Sequence, residues 1–239
     1  MAANIDDFTL ISGADVLYDG LFHIKQPRLG DIREITYSQY QSYLSILLLK
    51  KSTLLGLLGI EDPQVAESID LYTLLCAVPE ASDALVTALS FFIREPVCCI
   101  DGQLYINQVP VGENVLEDLK RIIFTISYLN VEPEEKPKCA DAFTAKILAK
   151  LQKGRAEMAK AKKHDQNMEL PNLISAISAR HNSYNLLNIW GLTVYQIYDQ
   201  FARLNVDVQL SIYGQRWAAW GKEEFDTTMW FKNFSKKEV

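Results

Sequence analysis

The chain has 239 residues, of which 49% are hydrophobic and 23% charged, and its formal net charge at pH 7 is −6. These proportions are those of an ordinary soluble globular protein, with room for one large domain or two small ones. The negative charge argues against general binding of polyanions.

Secretion, membrane insertion and a disulfide or zinc scaffold are also not indicated. The opening decapeptide, MAANIDDFTL, lacks the basic and apolar regions of a signal peptide. The apolar-rich run Leu44–Leu49 is far shorter than the ~20 residues of a membrane span. The cysteines are few and irregularly spaced, at Cys76, Cys98, Cys99 and Cys139. We therefore expect reduced, structural thiols in a cytosol.

Two β-hairpins are predicted from Asp-Gly turns. The first lies near residues 15–24, where apolar-rich runs flank Asp19-Gly20. The second lies near residues 97–106, where two four-residue runs are joined by Asp101-Gly102 alone. Both positions of an Asp-Gly pair tolerate positive φ, which a type I′ turn requires.

Apolar residues at helical spacing predict several helices in the first part of the chain. The predicted ranges are 36–55, 62–78, 80–94 and 113–129. Thr36 and Gln39 have the spacing of a capping box, and Asp62-Pro63 is a second helix-start signature. Pro79 separates the second helix from the third.

Gly56 and Gly59 allow two interpretations. A phosphate-binding loop needs a Gly-Lys-Ser/Thr start to a helix, and here Lys51-Ser52 precedes the glycines. A helix end fits the pattern better.

A linker and a basic helix are predicted next. Residues 132–138 read EPEEKPK, which is typical of a linker, and residues 140–164 are rich in Ala and Lys. The lysines of the helix flank are Lys146, Lys150, Lys153, Lys160 and Lys163. Three interpretations stay open for this helix: a solvated connector, an arm for an acidic protein partner, and a nucleic-acid contact. Phe143 is the one aromatic close to these lysines, although nucleic-acid readers generally add stacking or base-reading side chains.

The stretch 185–213 carries the most complete helix signature. Thr193 and Gln196 have the spacing of a capping box, and Leu192 and Ile197 that of a hydrophobic staple. Behind the cap, apolar residues repeat on one helical face. They are Val194, Ile197, Tyr198, Phe201 and Leu204, followed by Val206, Leu210, Tyr213, Trp217 and Trp220. Pro171–Ala179 forms a shorter helix before this stretch.

Large aromatics are dense near the C-terminus, and aromatics dominate both cores and interfaces because they bury much area at little entropic cost. We assign the stripe of Trp217 and Trp220 to a core, and Trp230, Phe231 and Phe234 to a docking edge.

The elements together predict a mainly α (α+β) fold with two small β-hairpins and a long basic helix. The predicted parts are an N-terminal α+β part at 1–131, the linker and basic helix at 132–168, and a C-terminal helical part at 169–239.

The residues form no catalytic, metal-binding or cofactor-binding motif. His23, His164 and His181 each stand alone, and there is no His-Glu-x-x-His sequence or cysteine cluster. We therefore expect a protein that is not an enzyme and that uses no cofactor and no metal.

Two motifs carry a family resemblance. One is Pro27-Arg28-Leu29-Gly30-Asp31-Ile32, within a region that runs from Phe22 through Tyr40–Leu44 to Leu57–Ile60. The other is Leu192-Thr193-Val194-Tyr195-Gln196, within a region that includes 174–177, 185–190 and 197–201. Both regions resemble small proteins of the tail-morphogenesis modules of tailed bacteriophages and prophages of Gram-positive bacteria.

The resemblance implies a non-enzymatic protein similar to a tail assembly chaperone, which binds a helical client such as the tape-measure protein in the host cytoplasm. One alternative is a structural tail or baseplate subunit retained in the virion. Another is a nucleic-acid-binding accessory protein that uses the basic helix. We expect no membrane partner, and self-association stays open.

The hypothetical docking surface combines aromatic residues with the lysine flank, because a helical client needs an apolar groove. Its aromatic members are Tyr195, Tyr198, Phe201, Trp217 and Trp230.

Overall fold

The computed structural model describes residues 5–60, 69–129 and 168–221, together with the single residues Asp226, Thr228 and Phe231. The N-terminal elements are α1 Asp7–Ser12, β1 Val16–Tyr18, β2 Phe22–Ile24, α2 Leu29–Ile35, α3 Tyr37–Leu47 and α4 Lys51–Leu57. The central elements are α5 Leu71–Ala77, α6 Pro79–Phe92, β3 Val97–Ile100, β4 Gln103–Ile106, β5 Val109–Val111 and α7 Glu113–Ile126. The C-terminal elements are α8 Leu170–Arg180, a 3₁₀ turn Ile189–Gly191 and α9 Val194–Trp220.

This arrangement confirms the mainly α (α+β) fold class. Helices dominate the described ranges, and the strands form two small antiparallel sheets, β1–β2 and β3–β4–β5. The predicted long basic helix lies outside the described residues.

Both predicted Asp-Gly turns are present. Asp19 and Gly20 have φ of 47° and 70°, and Asp101 and Gly102 have φ of 51° and 76°. These positive values are those that a type I′ turn requires. In the second hairpin Ile100 pairs directly with Gln103, so the Asp-Gly pair is the whole connection.

The three-stranded sheet contains a strand that the sequence did not predict. β5 pairs with β4 through a second two-residue turn, Asn107-Gln108, with φ of 50° and 66°. Glutamine rarely adopts positive φ, so the dipeptide gives no turn signal of the Asn-Gly kind. Pro110, which sits on this edge strand, further weakens the pattern.

The helix predicted at 36–55 is two helices. Lys50 has an extended backbone, with φ −93° and ψ 148°, and begins α4 without a side-chain cap. The break therefore leaves no signature in the sequence. Gly59 then ends α4 with φ 68°, and Ile60 N–H donates to Leu55 C=O at 3.0 Å, which completes a Schellman motif and confirms the helix-end interpretation of the glycines.

α5 and α6 form a bent pair around Val78. Asp70 caps α5, where its Oδ1 accepts from Thr73 N–H at 2.6 Å, and this hydrogen bond lowers the pKa of Asp70. Pro79 occupies the first turn of α6, whereas the sequence analysis places it between the two helices and begins the second at residue 80. Within the described ranges no single helix is long and apolar enough to span a membrane; α5 and α6, bent by 100°, meet that criterion only as a pair.

One hydrophobic cluster joins the N-terminal and C-terminal elements. It includes Phe22 of β2, Leu89 of α6, Ile123 of α7, Leu173 of α8 and Ile197 of α9, each 0–1% exposed. Residues on both sides of the undescribed segment 130–167 therefore share a core. The three-part division of the chain stays a prediction.

Candidate functional site

The two motifs that carry the family resemblance meet at the start of α9. Leu29 N–H donates to Leu192 C=O at 2.8 Å, and Arg28 and Thr193 form an isolated antiparallel bridge. The β2–α2 connection and the start of α2 are thus joined to Leu192 and Thr193, which precede α9, the longest of the described helices. We call this contact the α2–α9 joint.

Close packing at the joint explains the glycine of the first motif. A Cβ on Gly30 would lie 3.3 Å from the carbonyl oxygen of Trp190, which is tighter than most real Cβ contacts. The Arg33 guanidinium lies 5.1 Å from the centre of the Trp190 ring, in cation–π geometry. These contacts give the first motif a structural role.

The predicted capping box of α9 is confirmed. Thr193 Oγ1 accepts from Gln196 N–H at 3.2 Å, and Gln196 Oε1 accepts from Thr193 N–H at 2.9 Å. Gln196 Nε2 also donates to Ile11 C=O at 2.7 Å, so the cap reaches α1 as well. The cap residue itself is only 2% exposed.

The end of α1 is shaped to fit against this cap. Gly13 has φ 69°, and a Cβ on it would lie 3.0 Å from Thr193 Cγ2. Nearby, buried Gln26 donates through Nε2 to Thr9 C=O at 2.8 Å and to Ala14 C=O at 2.7 Å. Together these contacts fix the position and direction in which α9 leaves the joint.

The first part of α9 belongs to the core, which changes the predicted docking surface. Tyr195 is 4% exposed and Ile197 is fully buried, so Tyr195 does not offer its ring to a partner in this arrangement. Tyr198 and Phe201 are half-buried and pack against the core cluster. The sequence predicts this helical stripe correctly, but the first section of the stripe packs against the core of the same chain.

Tyr198 also connects the two borders of segment 130–167. Its ring stacks on Tyr128 at 4.5 Å between centroids, and its hydroxyl donates to Met168 C=O at 3.3 Å. Tyr128 has φ 57° at the end of α7, where Leu129 N–H donates to Phe124 C=O at 2.8 Å. Glycine is usual at such a helix end, and the Tyr128 ring supplies a reason for the exception because it packs on both Tyr195 and Tyr198.

The last part of α9 is exposed. Val206 is its final buried residue, and beyond it the exposed fractions are 44% for Tyr213, 52% for Trp217 and 69% for Trp220. Half-buried Leu210 lies on the same side, because the spacing 210, 213, 217, 220 keeps all four residues on one helical face. We call these four residues the distal α9 face.

The assignment of the Trp217 and Trp220 stripe to a core is therefore wrong. Helical spacing shows which residues share a face, but only the tertiary fold decides whether that face meets other elements. Of the aromatics on the hypothetical docking surface, Trp217 is exposed on α9, and Phe231 of the predicted docking edge is 83% exposed. Trp220 was not proposed for docking and is more exposed still.

The remaining residues of the hypothetical docking surface lie outside the described ranges. They are Lys146, Lys150, Lys153, Lys160, Lys163 and Trp230. Their part in partner binding stays a prediction.

Two side chains of reactive type, His23 and Cys76, have structural roles. His23 Nδ1 lies 2.9 Å from Glu95 Oε1, and Glu95 Oε2 accepts from His23 N–H at 2.9 Å, which ties β2 to the end of α6. Burial raises the pKa of the Cys76 thiol to about 11. Within the described ranges no group of three or more His, Cys, Asp or Glu side chains could hold a metal ion.

Within the described ranges the protein is mainly helical, and the longest helix there, α9, is fixed at its start and exposed towards its end. The family model described as the YomV second domain matches residues 160–235, which include α8, the capping box and the distal α9 face. This similarity covers less than half of the chain and indicates a phage-related protein. No curated protein and no solved structure matches the chain.

Proposed function

We propose that the chain is a non-enzymatic phage tail-morphogenesis protein, similar to an assembly chaperone, that binds a helical client such as the tape-measure protein. The observation that carries the proposal is the distal α9 face, which presents exposed aromatic side chains on one side of a helix. The similarity of residues 160–235 to a phage-related domain supports the assignment of the protein to a phage.

The shape of the distal α9 face suits a helical client. Residues three and four apart on α9 form a ridge, and an amphipathic helix lays its own apolar ridge against such a surface. Aromatic side chains are enriched among the residues that dominate binding energies. A tape-measure chain is long and helical, so its apolar stripe needs cover before the tail tube polymerises.

The fixed start of α9 supports the same function. The capping box and the α2–α9 joint hold the first turn of the helix, so the exposed end projects from a defined base. A preorganised surface binds more tightly because less conformational entropy is lost on association.

A pull-down from purified components tests the proposal. The full-length chain should retain the tape-measure protein of the parent phage, and Trp220→Ala should reduce the affinity by roughly tenfold or more, as expected for an aromatic hot spot. Phe8→Ala is the matched control, because Phe8 is an aromatic residue of α1 that is 77% exposed. Equal binding by both variants and the wild type would reject the distal α9 face as the docking site.

Mass spectrometry of purified virions separates the assembly factor from a structural subunit. Presence in late lysates with absence from particles supports a transient assembly role. A stoichiometric copy number in particles would contradict it.

A further inference from the structure

The spacing along the distal α9 face also fits self-pairing. On the face that begins at Val206, residues 206, 210, 213, 217 and 220 stand at intervals of four, three, four and three, which is the spacing of two heptads of a coiled coil, whereas Val208 and Ile212 lie off this seam. Two helices with this pattern present the same seam to one another. We propose that, in the absence of a client, a second copy of this chain covers the distal α9 face in a short helix–helix pair.

The exposed area is of the size that a weak dimer needs. Large aromatic side chains bury about 150–250 Å² each, so the exposed fractions of Tyr213, Trp217 and Trp220 leave roughly 300 Å² of aromatic surface on one copy. Pairing two copies brings together roughly 600 Å² of aromatic surface, to which Leu210 and the flanking positions add, and this places the pair at the low end of interface sizes, among weak and transient contacts. Patches of this size on a single chain commonly mark interaction sites.

The residues beside the seam allow two copies to approach despite the net charge of −6. In a coiled coil the positions flanking the seam decide whether charges attract or repel. Here they are Asp207, Gln209, Gly214 and Arg216, with one acid, one base and two uncharged residues. No block of like charges faces its own copy.

Self-pairing regulates the binding of the client. This part of the inference rests on the proposed function. A helical client and a second copy use the same seam, so each excludes the other by mass action. The free protein stays soluble with its aromatic surface covered, and the client replaces the second copy when it is synthesised.

Sedimentation equilibrium of the full chain over a wide concentration range tests the inference. The wild type should show a reversible monomer–dimer equilibrium. Tyr213→Asp places a charge in the seam and should leave a monomer at every concentration. Gln215→Asp should behave like the wild type, because residue 215 lies on the opposite side of the helix and is exposed. Far-UV circular dichroism checks that each variant is folded, and Trp220→Ser serves as a second seam variant.

A wild type that is monomeric throughout would overturn the inference, and so would a dimer that survives in both seam variants or dissociates equally in Gln215→Asp. Adding a peptide from the client's helical region separates the two proposals. If the client fails to bind while the dimer persists, the proposed function falls and self-pairing stands. If the client binds a monomeric wild type, self-pairing falls and the proposed function stands.

Discussion

The two parts of α9 differ in what determines them. Before Val206 the helix is held by a capping box, by α1 and by the shared core, and the apolar residues of its stripe are buried or half-buried against that core. After Val206 the same helix continues for fourteen residues with the same kind of apolar spacing, yet its aromatic side chains face solvent. One continuous helix thus serves folding at its start and presents a surface at its end. An amphipathic pattern alone therefore does not distinguish a buried helical face from an exposed one.

The largest expected difference in the free energy of unfolding comes from one substitution in each of the two parts of α9. Ile197→Ala removes a fully buried side chain and should lower the free energy of unfolding by about 2–5 kcal/mol. Ile212→Ala is the matched control, because Ile212 is 52% exposed on the same helix and its loss should stay within about 0.5 kcal/mol. Urea denaturation measures both values. Similar losses for the two variants would mean that the distal part is packed in solution.

A smaller contrast concerns the cap. Thr193→Ala removes the oxygen that accepts from Gln196 N–H and should cost about 1 kcal/mol, with a range of about 0.5–2. Ser211→Ala changes an exposed hydroxyl in the distal part and should change stability by less than about 0.5 kcal/mol. The same denaturation experiment reports both. A neutral Thr193→Ala would show that the core positions α9 without its cap.

The smallest expected difference in stability is between variants that remove one of two tyrosine hydroxyls, and this difference depends on pH. Tyr198→Phe loses the hydrogen bond to Met168 C=O and should cost about 0.5–1.5 kcal/mol at neutral pH, whereas Tyr213→Phe should cost almost nothing. Burial above all, and then the charges of Tyr37, Tyr128 and Glu169, raise the pKa of Tyr198 in the folded protein.

The raised pKa of Tyr198 determines how the stability difference changes with pH. A raised folded pKa means that the stabilising contribution is complete below the unfolded value of about 10 and is lost as the pH rises through the folded value. The deficit of Tyr198→Phe relative to the wild type should therefore shrink above about pH 10. Urea titrations at neutral and alkaline pH measure this difference, and a constant deficit would contradict the assigned burial.

Local features of the fold could be predicted from the sequence because their causes are local. The Asp-Gly turns, the Thr193–Gln196 capping box and the glycine that ends α4 each depend on a few adjacent residues. The structure confirms all of these. Hydrophobic spacing likewise located α6, α7 and most of α9.

The features that were missed depend on contacts between distant segments. The break before Lys50 has no cap, and β5 exists because a strained Asn107-Gln108 turn returns the chain to β4. For the candidate site, both motifs were identified, but nothing local indicated that Leu29 and Leu192 touch. The exposure of Trp217 and Trp220 depends on how far along α9 the other elements of the fold pack against it. A helical pattern in the sequence does not contain that information.

The contact of one side chain with both Tyr128 and Met168 fixes the two points at which segment 130–167 joins the described fold. The chain leaves the described fold after Leu129 and returns at Met168, and Tyr198 touches the chain at both borders. The groups that hold these two points together all belong to residues outside the segment. We therefore expect the described fold to keep both attachment points when the number of residues between them changes, so an affinity tag or a fluorescent domain can be inserted between 130 and 167.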